Sequence, residues 1–95
     1  MPLRLPYNNQ LIGLVESELG DARMNVKCVD GKTRLCRVQG KLRFRMWVKK
    51  GDFVIIRLWE TEKDTRGDII YKYSKLDIGA LKREGNLSNL TKNLE

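Results

Sequence analysis

The sequence predicts a single all-β domain, and three observations carry that expectation. Apolar residues recur with a period of two far more often than 3.6. Turn signals at Gly20-Asp21, Asp30-Gly31, Gly40 and Gly51-Asp52 punctuate the pattern at short, fairly regular intervals. The chain has 95 residues, 41% of them hydrophobic, which suits one core and leaves no room for a second. A domain of this size buries roughly 60 to 70% of its unfolded surface without help from metals or disulfides.

The first strand spans residues 11–19, with Leu11, Val15 and Leu19 on one face and Gly13 between them, where a missing Cβ permits a bend or a bulge. Gly20-Asp21 turns the chain into a second strand, 23–29. Met24, Val26 and Cys28 face one way there; Arg23, Asn25 and Lys27 face the other. Asp30-Gly31 marks a tight hairpin turn, since both residues tolerate positive φ. In the third strand, 33–38, Leu35, Cys36 and Val38 mix with Arg34 and Arg37 and the alternation is less clean.

Residues 41–48 hold Leu42, Met46 and Trp47 at helix-compatible spacing, which predicts a short helical connection with Arg43 and Arg45 turned outward. The fourth strand, 53–59, is almost continuously apolar and so requires burial on both sides for part of its length. A charged loop, 61–67, leads to the fifth strand, 68–73. Ser74 then caps a helix ending at Gly85, with Asp77 near its positive end. Leu87, Leu90 and Leu94 follow in a segment expected to be frayed or weakly docked. Residues 1–10, with Pro2 and Pro6, are expected to form a mobile arm. Five strands with a short helix between the third and fourth match the OB-fold barrel, which gives an arm (1–10), a barrel (11–73) and a C-terminal helix and tail (74–95).

Charge is distributed unevenly over this frame. Residues 21–51 contain ten Lys or Arg against two acids, a net +8, while the whole chain is +7. A balanced protein with one cationic region carries the footprint of a polyanion-binding site. On an OB barrel the exposed face of strands two and three is the binding face, and Arg23, Lys27, Lys32, Arg34 and Arg37 fall on that pair and its hairpin. Lys41, Arg43, Arg45, Lys49 and Lys50 fall on the adjoining connection.

Several function classes are excluded. The longest purely apolar run is residues 53–56, far short of a spanning helix, and no basic-then-apolar leader precedes the domain, so a cytoplasmic location with no membrane contact is expected. Histidine is absent and only Cys28 and Cys36 are available as thiols, which removes most metal chemistry; both cysteines are expected to be small, half-buried packing residues. Glu16 and Glu18 share a strand face, but no histidine is present to act as a base near neutral pH, and no serine has an activating base. The glycines are spread out as turn residues and make no phosphate-cradling loop. A binding protein without catalysis or cofactor is expected, acting as a monomer.

The run Asp30-Gly31-Lys32-Thr33-Arg34-Leu35-Cys36-Arg37-Val38-Gln39-Gly40-Lys41-Leu42-Arg43, continued by Met46-Trp47-Val48, Gly51-Asp52 and Asp68-Ile69-Ile70-Tyr71-Lys72-Tyr73, resembles the translation initiation factor 1A family. The resemblance spans roughly residues 11–85 in unbroken order. It implies binding to small-subunit ribosomal RNA in the A site beside the decoding centre. There the family keeps elongator tRNA out, helps place initiator tRNA on the start codon in concert with other initiation factors, and assists subunit joining. The contact that eukaryotic members make with the GTPase factor 5B uses an acidic tail with a hydrophobic end. Residues 87–95 offer leucines but little acidity, and the short arm and compact end resemble the archaeal branch.

For single residues two readings stand side by side. Trp47 either stacks on a flipped base or plugs the barrel end, and Arg66 either reaches RNA or pairs with the acids around it. Trp59, at the end of an apolar strand, reads as packing. Strands two and three contain no aromatic residue, so a general single-stranded RNA chaperone of cold-shock type, the alternative reading, would have little stacking platform; a folded, phosphate-dominated target fits better. A structural ribosomal protein is the second rival, but such proteins bury long basic tails and the ends of this chain are nearly neutral.

Overall fold

Alternating inward side chains curl five strands into a closed barrel in the computed structural model, which describes residues 5–38 and 48–83. The strands are β1 (Gln10–Gly20), β2 (Arg23–Cys28), β3 (Thr33–Val38), β4 (Phe53–Leu58) and β5 (Arg66–Lys72), followed by helix α1 (Lys75–Arg83). Around the barrel the order is β1-β2-β3-β5-β4, with β3 and β5 parallel and the other pairs antiparallel. This is the OB-fold barrel that the strand pattern predicts. Of the connection expected to be helical, residues 41–47 lie outside the described residues, as does the tail beyond Arg83.

β1 closes the barrel because it serves two partners. Its first half pairs with β4, from Gln10↔Arg57 to Leu14↔Phe53, and its second half with β2, from Gly13↔Cys28 to Gly20↔Arg23. Register shifts between Val15 and Ser17 and between Glu18 and Gly20 supply the bend. Gly13 is not the bulge: it pairs in register on both sides, and a Cβ there would stand 2.3 Å from Val26 Cγ1, so glycine is what lets β1 and β2 approach. Beyond the first shift Leu19 leaves the core face and is half exposed, contrary to its expected place beside Val15.

Both hairpins flanking β2, one at each of its ends, depend on positive φ. The β1–β2 turn has two residues, Asp21 and Ala22, at φ 51° and 59°, the type I′ geometry that matches strand twist. The β2–β3 connection, at the expected Asp30-Gly31 hairpin, is a three-residue loop. The Gly31 N–H donates to the Cys28 carbonyl at 2.9 Å, the Cys28 N–H donates to the Lys32 carbonyl at 2.8 Å, and within this loop only Gly31, at φ 89°, is left-handed.

Two packed layers hold the frame. Val15, Met24, Val26, Val38, Val54, Ile56 and Ile69 fill the barrel with Cys28 and Cys36, which are free and fully buried where half-burial was expected. Outside it, Ile12, Phe53, Ile55 and Tyr73 are covered by Leu81 and Ile78 of α1. β4 is thereby buried on both faces, as its continuous apolar run requires. The helix starts where its sequence dictates: Ser74 Oγ accepts from the Asp77 N–H and Asp77 Oδ2 accepts from the Ser74 N–H, both at 3.2 Å, a reciprocal cap. The expected arm is tied down at its inner end, because the Asn9 carbonyl accepts from the Leu58 N–H at 2.8 Å and Gln10 already belongs to β1.

Candidate nucleic-acid interface

Register decides which cations of the basic segment reach the surface. In the β2–β3 ladder Met24 faces Cys36 and Val26 faces Arg34 on the inner side. On the outer side Arg23 faces Arg37, Asn25 faces Leu35 and Lys27 faces Thr33. Two arginines opposed across a sheet repel each other and cost stability when nothing lies between them. Relief from protein carboxylates is slight: Asp21 approaches Arg23 only to 3.8 Å at an exposed position, and Arg37 has no ion pair among the described residues. Arg23 and Arg37, with Lys27 on the same face, are therefore cations left available for an external anion.

Arg34 belongs to the other side of the ladder, and the expectation that it faces RNA is corrected. Its side chain is 2% exposed. Nη1 and Nη2 donate to the two Asp30 carboxylate oxygens at 3.1 and 2.8 Å, and Nε donates to the Lys63 carbonyl. These hydrogen bonds from Arg34 hold the Asp30 carboxyl below the usual carboxylate range, and the same pairing raises the guanidinium pKa further. Lys32 completes the bridge by donating to Asp64 at 2.6 Å, which lowers the Asp64 pKa in turn. Arg34 and Lys32 thus fasten the β2–β3 hairpin to the β4–β5 loop. A fork with five donors suits that task, and the less regular alternation of β3 is its trace in the sequence.

Beside the β4–β5 loop lies a cleft of about 490 Å³ lined by Arg23, Arg37, Trp59 and Arg66, with Asp21 and Leu35 among its other walls. Trp59 does not pack as expected; it is 36% exposed, its Nε1–H donates to Asp68 Oδ1 at 3.1 Å, and the Arg66 guanidinium carbon lies 5.9 Å from its ring centroid. Counting in steps of two from Val54 and Ile56 inside the barrel would have placed Trp59 outside. Arg66 also stands 3.8 Å from Glu62, a long contact at a half-exposed site. Lys49 and Lys50 are exposed on the turn that enters β4. Lys41, Arg43, Arg45 and Trp47 lie outside the described residues.

The chain is similar to known proteins over most of its length. The family model described as Translation initiation factor 1A / IF-1 matches residues 1–95. Translation initiation factor 1A of Pyrococcus abyssi is 48% identical over 84 residues, which are 88% of this chain and 74% of that protein. The Methanopyrus kandleri factor of the same name is 43% identical over 94 residues, 98% of this chain and 84% of its own. Among solved structures, the bacterial translation initiation factor 1 from the Wolbachia endosymbiont of Brugia malayi superposes with a TM-score of 0.54 at 25% identity, covering 70% of this chain and 78% of that one. YjeQ from Thermotoga maritima, at 22% identity and the same TM-score, covers 68% of this chain and 23% of its own, and shares the barrel alone. The match to the family model over the whole chain and identities of 43 to 48% to its archaeal members show that the chain belongs to the translation initiation factor 1A family, a family of non-enzymatic translation initiation factors.

Proposed function

We propose that this protein binds the small ribosomal subunit in the A site beside the decoding centre, where it excludes elongator tRNA, promotes placement of initiator tRNA on the start codon and assists subunit joining. Family membership supports the role in initiation. The observation that carries the contact is the outward pair of opposed arginines, Arg23 and Arg37, with Lys27 beside them and no ion pair shorter than 3.8 Å to neutralise them among the described residues. Phosphates on this face would turn the repulsion into an attraction and release counterions as they bind. The exposed Lys49 and Lys50, and Lys41, Arg43 and Arg45 of the same basic segment, contribute further phosphate contacts in this reading. Six phosphates neutralised on single-stranded elements would give a log-log salt slope of roughly −4.

Co-sedimentation with purified small subunits tests the proposal. The Arg23→Glu/Lys27→Glu/Arg37→Glu protein should stay folded and lose binding, whereas binding equal to that of the unaltered protein would remove the strand pair from the interface.

A further inference from the structure

We propose that the cleft at Trp59 is a nucleobase-stacking site, in which one unpaired base of RNA lies on the indole face under the Arg66 guanidinium while Arg23 and Arg37 hold the adjoining phosphates. The inference rests on the RNA-binding reading of this face and adds to it a contact with a base. A cleft of about 490 Å³ lies within the size range of small-molecule sites and can take a nucleotide.

Three features favour a base over a bare phosphate. Trp59 is a large aromatic left 36% exposed among arginines, and phosphate binding alone has no use for an indole. The ring is held before any ligand arrives: the Nε1–H donates to Asp68 at 3.1 Å, and Asp68 is itself paired with Arg57 at 3.6 Å, so stacking costs little side-chain freedom. The spacing above the ring is close to what a sandwich needs. A planar base between guanidinium and indole requires two van der Waals layers of about 3.5 Å, roughly 7 Å in all. Arg66 already stands at 5.9 Å, so it need lift by only about 1 Å. Its ionic contact with Glu62, at 3.8 Å, is long and solvent-exposed, so lifting the guanidinium breaks no short ion pair there. In the unbound protein the Arg66 guanidinium lies over the same indole face at 5.9 Å, a cation–π contact.

The Trp47→Phe protein leaves Trp59 as the sole indole, and its fluorescence reads the site directly. Penta-adenylate RNA should quench that emission, and an abasic pentamer of equal charge should not. Trp59→Ala in the otherwise unaltered chain should weaken binding of the oligonucleotide about 5- to 150-fold, the equivalent of 1 to 3 kcal/mol per stacked base, while Trp59→Phe recovers most of it. Equal quenching by the two RNAs, or an unchanged affinity in Trp59→Ala, would overturn the stacking site. Those failures leave the subunit-binding reading intact, because that reading falls only if the Arg23/Lys27/Arg37 reversal still binds small subunits.

Discussion

Replacing Arg34 with alanine should cost stability and should not remove an RNA contact. The side chain is 2% exposed and its loss deletes two charge-assisted hydrogen bonds to Asp30 and one to the Lys63 carbonyl. Removing one member of a buried ion pair costs about 3 to 5 kcal/mol when the other charge is stranded. Asp30 is not fully stranded: its side chain is 33% exposed, and the Lys32 N–H still donates to it at 3.1 Å. The expected loss therefore lies below that range, at about 2 to 3 kcal/mol. In a chain of this length each kcal/mol moves the melting temperature by about 4 to 8 °C, so the midpoint should fall by roughly 10 to 20 °C. Thermal and urea melts followed by far-ultraviolet circular dichroism measure the loss, and a double-mutant cycle with Asp30→Ala isolates the pair. Arg37→Ala is the control: exposed and without an ion pair among the described residues, it should change stability by no more than about 0.5 kcal/mol. An Arg34→Ala protein that melts like the wild type yet loses small-subunit binding as Arg37→Ala does would refute the argument.

Gly13→Ala should destabilise the barrel by about 1 to 3 kcal/mol, because the added Cβ meets Val26 Cγ1 at 2.3 Å and the Lys27 carbonyl at 3.3 Å; measured against Val26→Ala as the parent, the same substitution should cost less in urea melts. Asp30 makes the Arg34 bridge acid-sensitive. Its folded pKa is lowered, so the stability it contributes is present above the unfolded value of about 3.9 and is lost as pH falls through the folded value. Melting temperature should drop below about pH 4, less steeply in Asp30→Asn. Burial pushes the Cys28 thiol up and the Cys36 thiol up to about 12, so neither should react with a thiol reagent at pH 8 until the protein unfolds. Labelling that is fast in the native state would contradict their place in the barrel.

How much of the molecule is legible in the sequence follows from which interactions are local. Strand boundaries, the Ser74 cap and the two-sided burial of β4 depend on periods of two and on turn chemistry, which a single chain displays. The outward row of Arg23, Asn25 and Lys27 is legible for the same reason. Arg34 is not, because its partner carbonyl at Lys63 is distant in the sequence and only ladder register places it opposite Val26. Trp59 looks like packing in the sequence since the apolar run before it masks the alternation. Its partners, Asp68 and Arg66, come from the neighbouring strand. Gly13 shows its importance but not its reason: a close approach of β2 looks, in sequence, like a bulge.

Whether the outer face of β2 and β3 meets small-subunit ribosomal RNA at the decoding centre is tested most directly by chemical footprinting of that RNA. The footprint is taken with the protein and with its Arg23→Glu/Lys27→Glu/Arg37→Glu variant. Protection of decoding-centre nucleotides by the unaltered protein, lost with the variant, is the predicted result. Protection confined to other regions, or equal protection by both proteins, would contradict it.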